Sequence, residues 1–441
     1  MEELVYLYPY GLLNQFNTKR IYDGFIVTEE DKKILRELAM KKAEIAQLQV
    51  HREKIDLWKK LNNLKETRPL IWINELPWHE LNIDDELTIK TSTNFSRFLE
   101  TRIRRTIYCW KHMPVDMVIE PALPCYLIVD NTGFGISEVV DITTTDKDSD
   151  IVSREFTAQI QNELDLEKIK MPKVTYNKKA TDAQYEVMKN IFDGILNIEK
   201  RGIPGFWFAP WDELIRWWGV QEALTDLVLR PKLVHMAMEK LTRAYIYMLE
   251  QYESQGLLAL NNGNYRIGSG GLSFSDELPG KDYIPGKIKT FNLWGSGAAQ
   301  IFSDVSPEMY YEFALQYELK WMKRFGLNYY GCCERLDQKI ELIKKIPNLR
   351  KISISPWSNL DKSIENIAER FVISYKPNPA IFAADNWDIE SIRSSFVTLF
   401  KKFRGCNVEV IMKDISTVKY KPQRLWDWAR VASETVEQIY R

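Results

Sequence analysis

Two adjacent cysteines and a glutamate stand at the end of an apolar segment, and these residue types could do chemistry. Cys332 and Cys333 end a predicted strand at residues 327–333, Glu334 follows directly, and a helical pattern begins at Arg335. Zinc accepts thiolate, imidazole and carboxylate ligands, and a catalytic zinc site keeps one position open. An apolar strand end can also hold a buried, unreactive cysteine. Both interpretations stay open on these residues alone.

The elements around this strand end predict a β/α protein. From Pro69 onward, short apolar segments alternate with amphipathic helical patterns, which is typical of a parallel sheet built from β/α units. The predicted strands are residues 70–75, 116–120, 205–209, 257–261, 327–333, 351–355, 371–375 and 408–412. Eight such units predict a (β/α)8 TIM barrel over residues 69–441.

Two attachments to this barrel are expected. Residues 1–68 form an N-terminal helical arm, because apolar residues recur at helical spacing through the charged segment 28–67. Residues 121–201 form an insertion over the barrel mouth, irregular but with β-hairpin character. A glycine run at Gly268–Gly271 lacks both the preceding strand and the Gly-Lys-Ser of a phosphate-binding loop, which argues against phosphate binding.

The carboxyl ends of barrel strands converge on one mouth, where active sites of this fold lie. Three acidic residues there could act as acid and base catalysts: Glu75, Glu120 and Glu334. Six further residues near the predicted strand ends are candidates for substrate binding: Trp78, His79, Trp211, Asn261, Tyr330 and Trp357. Carboxylates outnumber cations at this edge, so we expect a bound cation or raised carboxyl pKa values.

Composition narrows the class of protein. Sixty basic residues stand against sixty-one acidic ones, and no nucleic-acid-binding motif is present, so we expect no nucleic-acid partner. No stretch has the length and apolarity of a membrane span, and the first residues do not resemble a signal peptide. Five cysteines, an odd number lying mostly in apolar segments, suggest a reducing compartment. We therefore expect a soluble, cytoplasmic protein without a membrane partner.

Three segments resemble the uroporphyrinogen decarboxylase superfamily, which includes cobamide-dependent methyltransferases. Residues 68–72 (RPLIW) resemble its opening strand, and residues 205–211 (GFWFAPW) are similar to its Gly-x-Pro-Trp strand. Residues 302–309 (FSDVSPEM) precede a long helix and then residues 329–334 (YYGCCE). That order is similar to the methyltransferase branch, where a Phe-x-Ser-Pro-Glu motif leads to a strand ending in His-x-Cys-Gly, a zinc motif.

Departures from the family pattern favour one branch. True decarboxylases follow the first strand with arginines that hold porphyrin carboxylates, whereas residues 73–79 here read INELPWH. An acid in that place would repel a polyanionic tetrapyrrole, so uroporphyrinogen is not the expected substrate. The catalytic aspartate after the second strand is also missing, since residues 120–123 read EPAL.

When this segment is aligned with the zinc motif, Cys332 matches the family's cysteine and Tyr330 stands in place of its histidine. If the alignment is shifted by one residue, Cys333 matches the cysteine instead. The family's second cysteine falls near Lys413 and Asp414, so a carboxylate can replace that thiolate. The resemblance thus implies zinc held by Cys332, Cys333, Glu334 and Asp414. An oxygen-richer site of this kind suits an oxygen or nitrogen leaving group.

The resemblance implies a corrinoid-dependent methyltransferase component. It would demethylate a methoxylated aromatic or a methylated amine, a small-molecule methyl donor, and pass the methyl group to cobalamin on a separate corrinoid protein. Aromatic side chains near the mouth would grip a flat ring or a methylammonium group. One alternative is a uroporphyrinogen decarboxylase-like decarboxylase or lyase acting on another small substrate. A second is a binding protein that has kept the barrel and lost the chemistry.

Overall fold

A parallel sheet with flanking helices forms the centre of this mixed α/β protein, in a computed structural model that describes residues 24–144, 153–367 and 370–441. The strands are β1 (Leu70–Ile73), β2 (Ala122–Tyr126), β3 (Val129–Asn131), β4 (Val140–Thr143), β5 (Ser153–Phe156), β6 (Val174–Tyr176), β7 (Asn197–Arg201), β8 (Trp294–Gly297), β9 (Leu327–Tyr330), β10 (Leu349–Ile354), β11 (Val372–Tyr375) and β12 (Asn407–Met412). Six of them form the central sheet, in the order β1-β12-β11-β10-β9-β8, and every neighbouring pair is parallel.

Helices lie before, between and after the strands. They are α1 (Glu29–Ala46), α2 (Val50–Asn62), α3 (Asn94–His112), α4 (Lys178–Phe192), α5 (Pro210–Trp218), α6 (Val220–Leu229), α7 (Pro231–Ser254), α8 (Pro307–Tyr310), α9 (Gln316–Met322), α10 (Ile340–Ile343), α11 (Leu360–Ile367), α12 (Ile389–Lys402) and α13 (Gln423–Tyr440). A π-helical turn at Tyr311–Leu315 joins α8 to α9. None of the described helices combines the length and apolarity needed to cross a membrane.

The central strands are buried along most of their length, as expected for a parallel sheet with both faces covered. One ion pair lies inside this sheet: Lys351 Nζ is 2.7 Å from Glu409 Oε2, and both side chains are fully buried. Glu409 also accepts hydrogen bonds from Ser374 Oγ and Gly271 N. The sheet interior is therefore partly polar, and its charge is compensated locally.

Three predicted strands are not strands in the described structure, and side chains explain why. Residues 116–120 attach to β1 through the Asp116 carboxylate, which accepts from Ile71 N and from Arg68. Residues 257–261 attach to β8 through the Asn261 side chain, which bonds both the N–H and the C=O of Trp294. Residues 205–209 make a single bridge, Phe208 to Gly297. Backbone ladders among the described residues therefore do not close an eight-stranded barrel.

The central sheet contains one strand that the sequence did not predict. β8 reads Trp-Gly-Ser-Gly, and its two glycines have low intrinsic strand propensity. Tertiary packing leaves no room for a side chain at one of these two glycines: a Cβ on Gly295 would lie 2.5 Å from Phe325 ring atoms and from Asn328 Oδ1. Close packing against these neighbours, rather than propensity, places this strand.

The N-terminal helices share a hydrophobic cluster with part of the segment 121–201. Leu35 of α1, Phe98 of α3 and Met188 of α4 belong to this cluster, together with residues of β2 and β7. The segment contains the expected hairpin, β4 with β5, but it is less irregular than predicted because it also holds helix α4 and the parallel pair β2–β7. Residues 145–152 within it lie outside the described residues.

The glycine run packs against the sheet. A Cβ on Gly268 would lie 2.1 Å from the Tyr329 ring, and one on Gly271 would lie 2.3 Å from the Trp58 ring. Gly268 also has a φ of +55°, which L side chains rarely adopt. Glycine is needed there for close backbone approach, in agreement with the argument against a phosphate-binding loop.

Candidate active site at the carboxyl ends of β9 and β12

Residues that follow three strands of the central sheet meet at its carboxyl edge. Cys332 and Cys333 follow β9, Lys413 and Asp414 follow β12, and Glu75 follows β1. Strands β10 and β11 lie between β9 and β12 in the sheet order, so contact between these ends requires a strongly curved sheet. We call these five residues the thiol cluster.

A lysine ammonium group lies at the centre of the thiol cluster. Lys413 Nζ is 3.7 Å from Cys332 Sγ, 3.6 Å from Cys333 Sγ, 2.6 Å from Asp414 Oδ2 and 3.2 Å from Glu75 Oε2. The two sulfur atoms are 3.5 Å apart, and Cys333 Sγ is 3.3 Å from Asp414 Oδ2. Every acidic group of the cluster therefore contacts one cation that the chain itself supplies.

These contacts favour a thiolate on Cys332. The hydrogen bond from Cys333 lowers the pKa of Cys332, burial opposes this, and the positive charge of Lys413 lowers it further. The same hydrogen bond raises the pKa of Cys333, and burial raises it further. Although burial acts to lower the pKa of Lys413, the nearby thiols, Glu75 and Asp414 raise it well above its usual value. The cluster thus combines a thiol whose pKa is lowered with a lysine whose pKa is raised.

Glu75 connects the cluster to solvent and to a second cation. Its Oε1 is 2.8 Å from Arg266 Nη1, and its side chain is 38% exposed; that of Asp414 is 52% exposed. Burial acts to raise the pKa of Glu75, but Arg266 and Lys413 hold it far below its usual range. Glu75 is therefore held in its charged form by two cations at a solvent-exposed rim.

The cluster does not fit a resident zinc ion as it is arranged. Two thiols and a carboxylate are a chemically suitable ligand set. Lys413, however, holds a positive charge within 3.7 Å of both sulfur atoms, where a zinc ion would have to lie. Within the described ranges, no group of three or more His, Cys, Asp or Glu side chains is arranged to hold a metal ion. Zinc binding stays a prediction, and it requires Lys413 to leave the cluster.

Two of the three predicted acid–base residues are not members of the thiol cluster. Glu334 Oε2 accepts a hydrogen bond from Cys332 N at 2.8 Å, but its carboxyl group is buried and its Oε1 has no partner among the described residues. Burial raises the pKa of Glu334. Glu120 lines a separate cavity, and its backbone oxygen accepts from Lys42. The structure brings Cys332, Cys333, Asp414 and Glu75 together, with Glu334 behind them.

Most of the predicted substrate-binding residues have other partners. Trp211 is buried and donates a hydrogen bond to Phe313 O. Tyr330 is buried, and its hydroxyl oxygen is 2.5 Å from Glu318 Oε2. The Asn261 side chain is hydrogen-bonded to the backbone of Trp294 in β8. His79 lies edge-on to Tyr420, and Trp78 lies under the Arg105 guanidinium. Trp357 is 63% exposed. None of these six side chains has a recorded contact with the thiol cluster in the described structure.

The sequence prediction missed three cationic residues of this region as site residues. Lys413 was recognised at a strand end but not as the centre of the cluster, and Arg266 comes from the glycine-containing loop. Lys376 follows β11, is buried, and its Nζ bonds Tyr329 Oη and Ser374. Burial lowers the pKa of Lys376 to about 7, against the opposing effect of Glu409. The excess of carboxylates was the only sequence signal that a cation belonged here.

Comparison with known proteins gives a structural likeness. No protein-family model matches the chain, and no curated protein matches it significantly. Among solved structures, the chain is similar to a methyltransferase from Methanosarcina mazei, with a TM-score of 0.48 and 10% sequence identity. The match covers 87% of this chain and 97% of that chain.

Proposed function

We propose that this protein is the substrate-demethylating component of a corrinoid-dependent methyl-transfer system, with a barrel of the uroporphyrinogen decarboxylase superfamily. One observation carries the proposal. Cys332–Cys333 and Lys413–Asp414, about 80 residues apart, meet at one sheet edge, and these are the two places that match the family's metal-binding cysteines. In the proposed barrel, residues 116–120, 205–209 and 257–261 fill the gap between β1 and β8.

The residues of the cluster suit removal of a methyl group from oxygen or nitrogen. The departing heteroatom gains negative charge, and a cation or a proton donor lowers the barrier by neutralising it. Lys413 stays charged and lies next to the solvent-exposed rim formed by Glu75 and Asp414. Its ammonium group would bind the developing anion, and Glu75, which is itself paired with Arg266, would hold that ammonium group in place.

A proton source lies behind the cluster. Burial raises the pKa of Glu334, so its carboxyl group retains a proton to higher pH than an exposed glutamate. Its Oε2 reaches the backbone of Cys332, which places it one residue from the thiols. A partner corrinoid protein would supply the strong nucleophile for the methyl carbon, since the described residues carry no cofactor-binding fingerprint for such chemistry.

Methyl transfer is tested with a corrinoid protein carrying cob(I)alamin and a panel of methoxyarenes and methylamines. We expect methylcobalamin to form, as seen in the visible spectrum, only when enzyme and a methyl donor are both present. Lys413→Met should abolish this, whereas Lys402→Met, which removes a surface lysine paired with Asp361, should not. If no donor in the panel gives methylcobalamin, methyl transfer is the wrong reaction.

A lyase or decarboxylase is the second candidate, and Lys376 favours it. An amine with a pKa near 7 is partly neutral at physiological pH and can attack a carbonyl carbon to form a Schiff base. Borohydride reduction in the presence of small keto acids would then attach the substrate to Lys376, detectable by peptide mass spectrometry. Absence of any adduct at Lys376 would remove this candidate.

A further inference from the structure

A cavity of about 800 Å³ lies beside the thiol cluster but shares none of its five residues. Helix α3, the paired strands β2 and β7, the edge of β1 and residues 258–266 line it. Small-molecule sites commonly have volumes of roughly 300–1,000 Å³, so this cavity is large enough for a ligand with a ring.

The walls of this cavity carry an excess of positive charge. Among the described residues that line it, six side chains are cationic and two are carboxylates; the cationic residues are Lys42, Arg102, Arg105, Lys200, Arg201 and Arg266. Of these six, Lys200 pairs with Asp182 and Arg266 pairs with Glu75. A positively charged cleft attracts anions and raises their local concentration.

Two of these cations are close enough to repel one another. Lys42 is buried and donates to backbone carbonyl groups, and its pKa is lowered to about 8 by burial and then by the charge of Arg102. The Arg102 guanidinium lies over the rings of Phe98 and Tyr126, and it makes no ion pair or hydrogen bond among the described residues. An anion between Lys42 and Arg102 would relieve their repulsion and supply the acceptor that Arg102 lacks.

A buried donor among the residues that line the cavity also lacks an acceptor. Trp72 lines the cavity, and its Nε1 is buried without a hydrogen-bond partner in the described structure. A buried N–H without an acceptor is costly, and native proteins rarely contain one unless something else binds it. Tyr126, Tyr265 and Tyr283 add further aromatic surface to the walls.

We propose that this cavity binds a flat, anionic small molecule, a ring that carries a carboxylate or a phosphate group. The cationic side chains hold the anionic group, the Trp72 N–H donates to the ligand, and the aromatic walls contact the ring. This inference goes beyond the proposed reaction and does not depend on it, because binding alone tests it.

Calorimetric titration with four ring compounds tests the proposal: benzoate, phenyl phosphate, neutral benzamide and cationic benzylammonium. We expect at least one of the two anions to bind more tightly than both other compounds, and more weakly as salt is added. The anion that binds more tightly identifies the group as carboxylate or phosphate. Equal binding of benzamide, tighter binding of benzylammonium, or no binding at millimolar concentration overturns the proposal.

Three variants locate the site. Arg102→Gln should weaken anion binding at least ~10-fold, the effect of losing one charge-assisted hydrogen bond. Arg243→Gln, which changes an exposed arginine outside the cavity, should bind as the wild type does. Trp72→Phe keeps a ring, so it should weaken binding several-fold without lowering the melting temperature. Unchanged binding in both Arg102→Gln and Trp72→Phe places the anion elsewhere and overturns the proposal.

Discussion

Replacing Lys413 by methionine should raise the pKa of the Cys332 thiol. Lys413 Nζ lies 3.7 Å from Cys332 Sγ. Two opposite unit charges at this distance attract one another by about 4 kcal/mol when the effective dielectric constant is about 20. Glu75 and Asp414 attract the same ammonium group and oppose a thiolate, so only part of this energy acts on Cys332. Even a third of it, about 1.4 kcal/mol, changes the thiolate equilibrium tenfold.

The assay is a pH titration of the ultraviolet absorbance of thiolate in the folded protein. Burial raises the pKa of Cys109 to about 12 and that of Cys125 to about 11, so neither thiol ionises near neutral pH. The wild type should show a thiolate transition below the usual range of a thiol, and Cys332→Ser should remove it. Lys413→Met should move the transition to higher pH, and Lys413→Arg should largely restore it because the charge is kept.

Lys402→Met provides the control, since that lysine pairs with Asp361 at the surface. Its titration should coincide with that of the wild type. The reasoning is refuted if Lys413→Met, shown to be folded by circular dichroism, titrates at the wild-type pH. A low-pH transition that persists in Cys332→Ser would instead assign the thiolate to another cysteine.

Four further outcomes are expected. Zinc should bind more tightly to Lys413→Ala than to the wild type in equilibrium dialysis, because metal and ammonium need the same space; equal affinity would show that they do not compete. Lys351→Met should lower the free energy of unfolding by about 3–5 kcal/mol, since it leaves Glu409 buried and unpaired; a loss below about 1 kcal/mol in urea titration would contradict this. Burial raises the pKa of Glu318 to about 8, so wild-type stability should fall as pH rises from the unfolded value of about 4.5 through 8, and Glu318→Gln should show a flatter profile. If the cavity binds the methyl donor, a methoxybenzoate should methylate the corrinoid faster than a methylamine does. The reverse order would show that the cavity does not bind the methyl donor.

Five of the six strands of the central sheet were predictable from sequence, because strands buried on both faces form continuous apolar runs between helical patterns. β9, β10, β11 and β12 all overlap their predicted ranges. The segments that failed as strands attach by side chains instead. The Asp116 carboxylate accepts from a backbone N–H, and the Asn261 side chain bonds both a backbone N–H and a backbone C=O. These side chains substitute for a ladder, and no periodicity in the sequence distinguishes this from a strand.

The candidate site was predictable in part, for a geometric reason. Because residues that follow parallel strands share an edge, the sequence points to Cys332, Cys333, Asp414 and Glu75. Their orientation was not predictable. Tyr330 and Trp211 follow or end predicted strands too, yet their side chains point into the core, because strand alternation and local packing decide the face.

The excess of carboxylates at the mouth predicted a cation, and the chain provides two from distant segments. Lys413 comes from the end of β12, and Arg266 comes from a loop whose glycines allow it to approach the sheet. A lysine differs from zinc in a way that matters for chemistry: it neutralises charge and donates a proton, but it leaves no open coordination position for a substrate atom. A site built on Lys413 would therefore bind the departing heteroatom by hydrogen bonding. Its activity should then survive treatment with metal chelators, whereas a zinc-dependent site would lose activity.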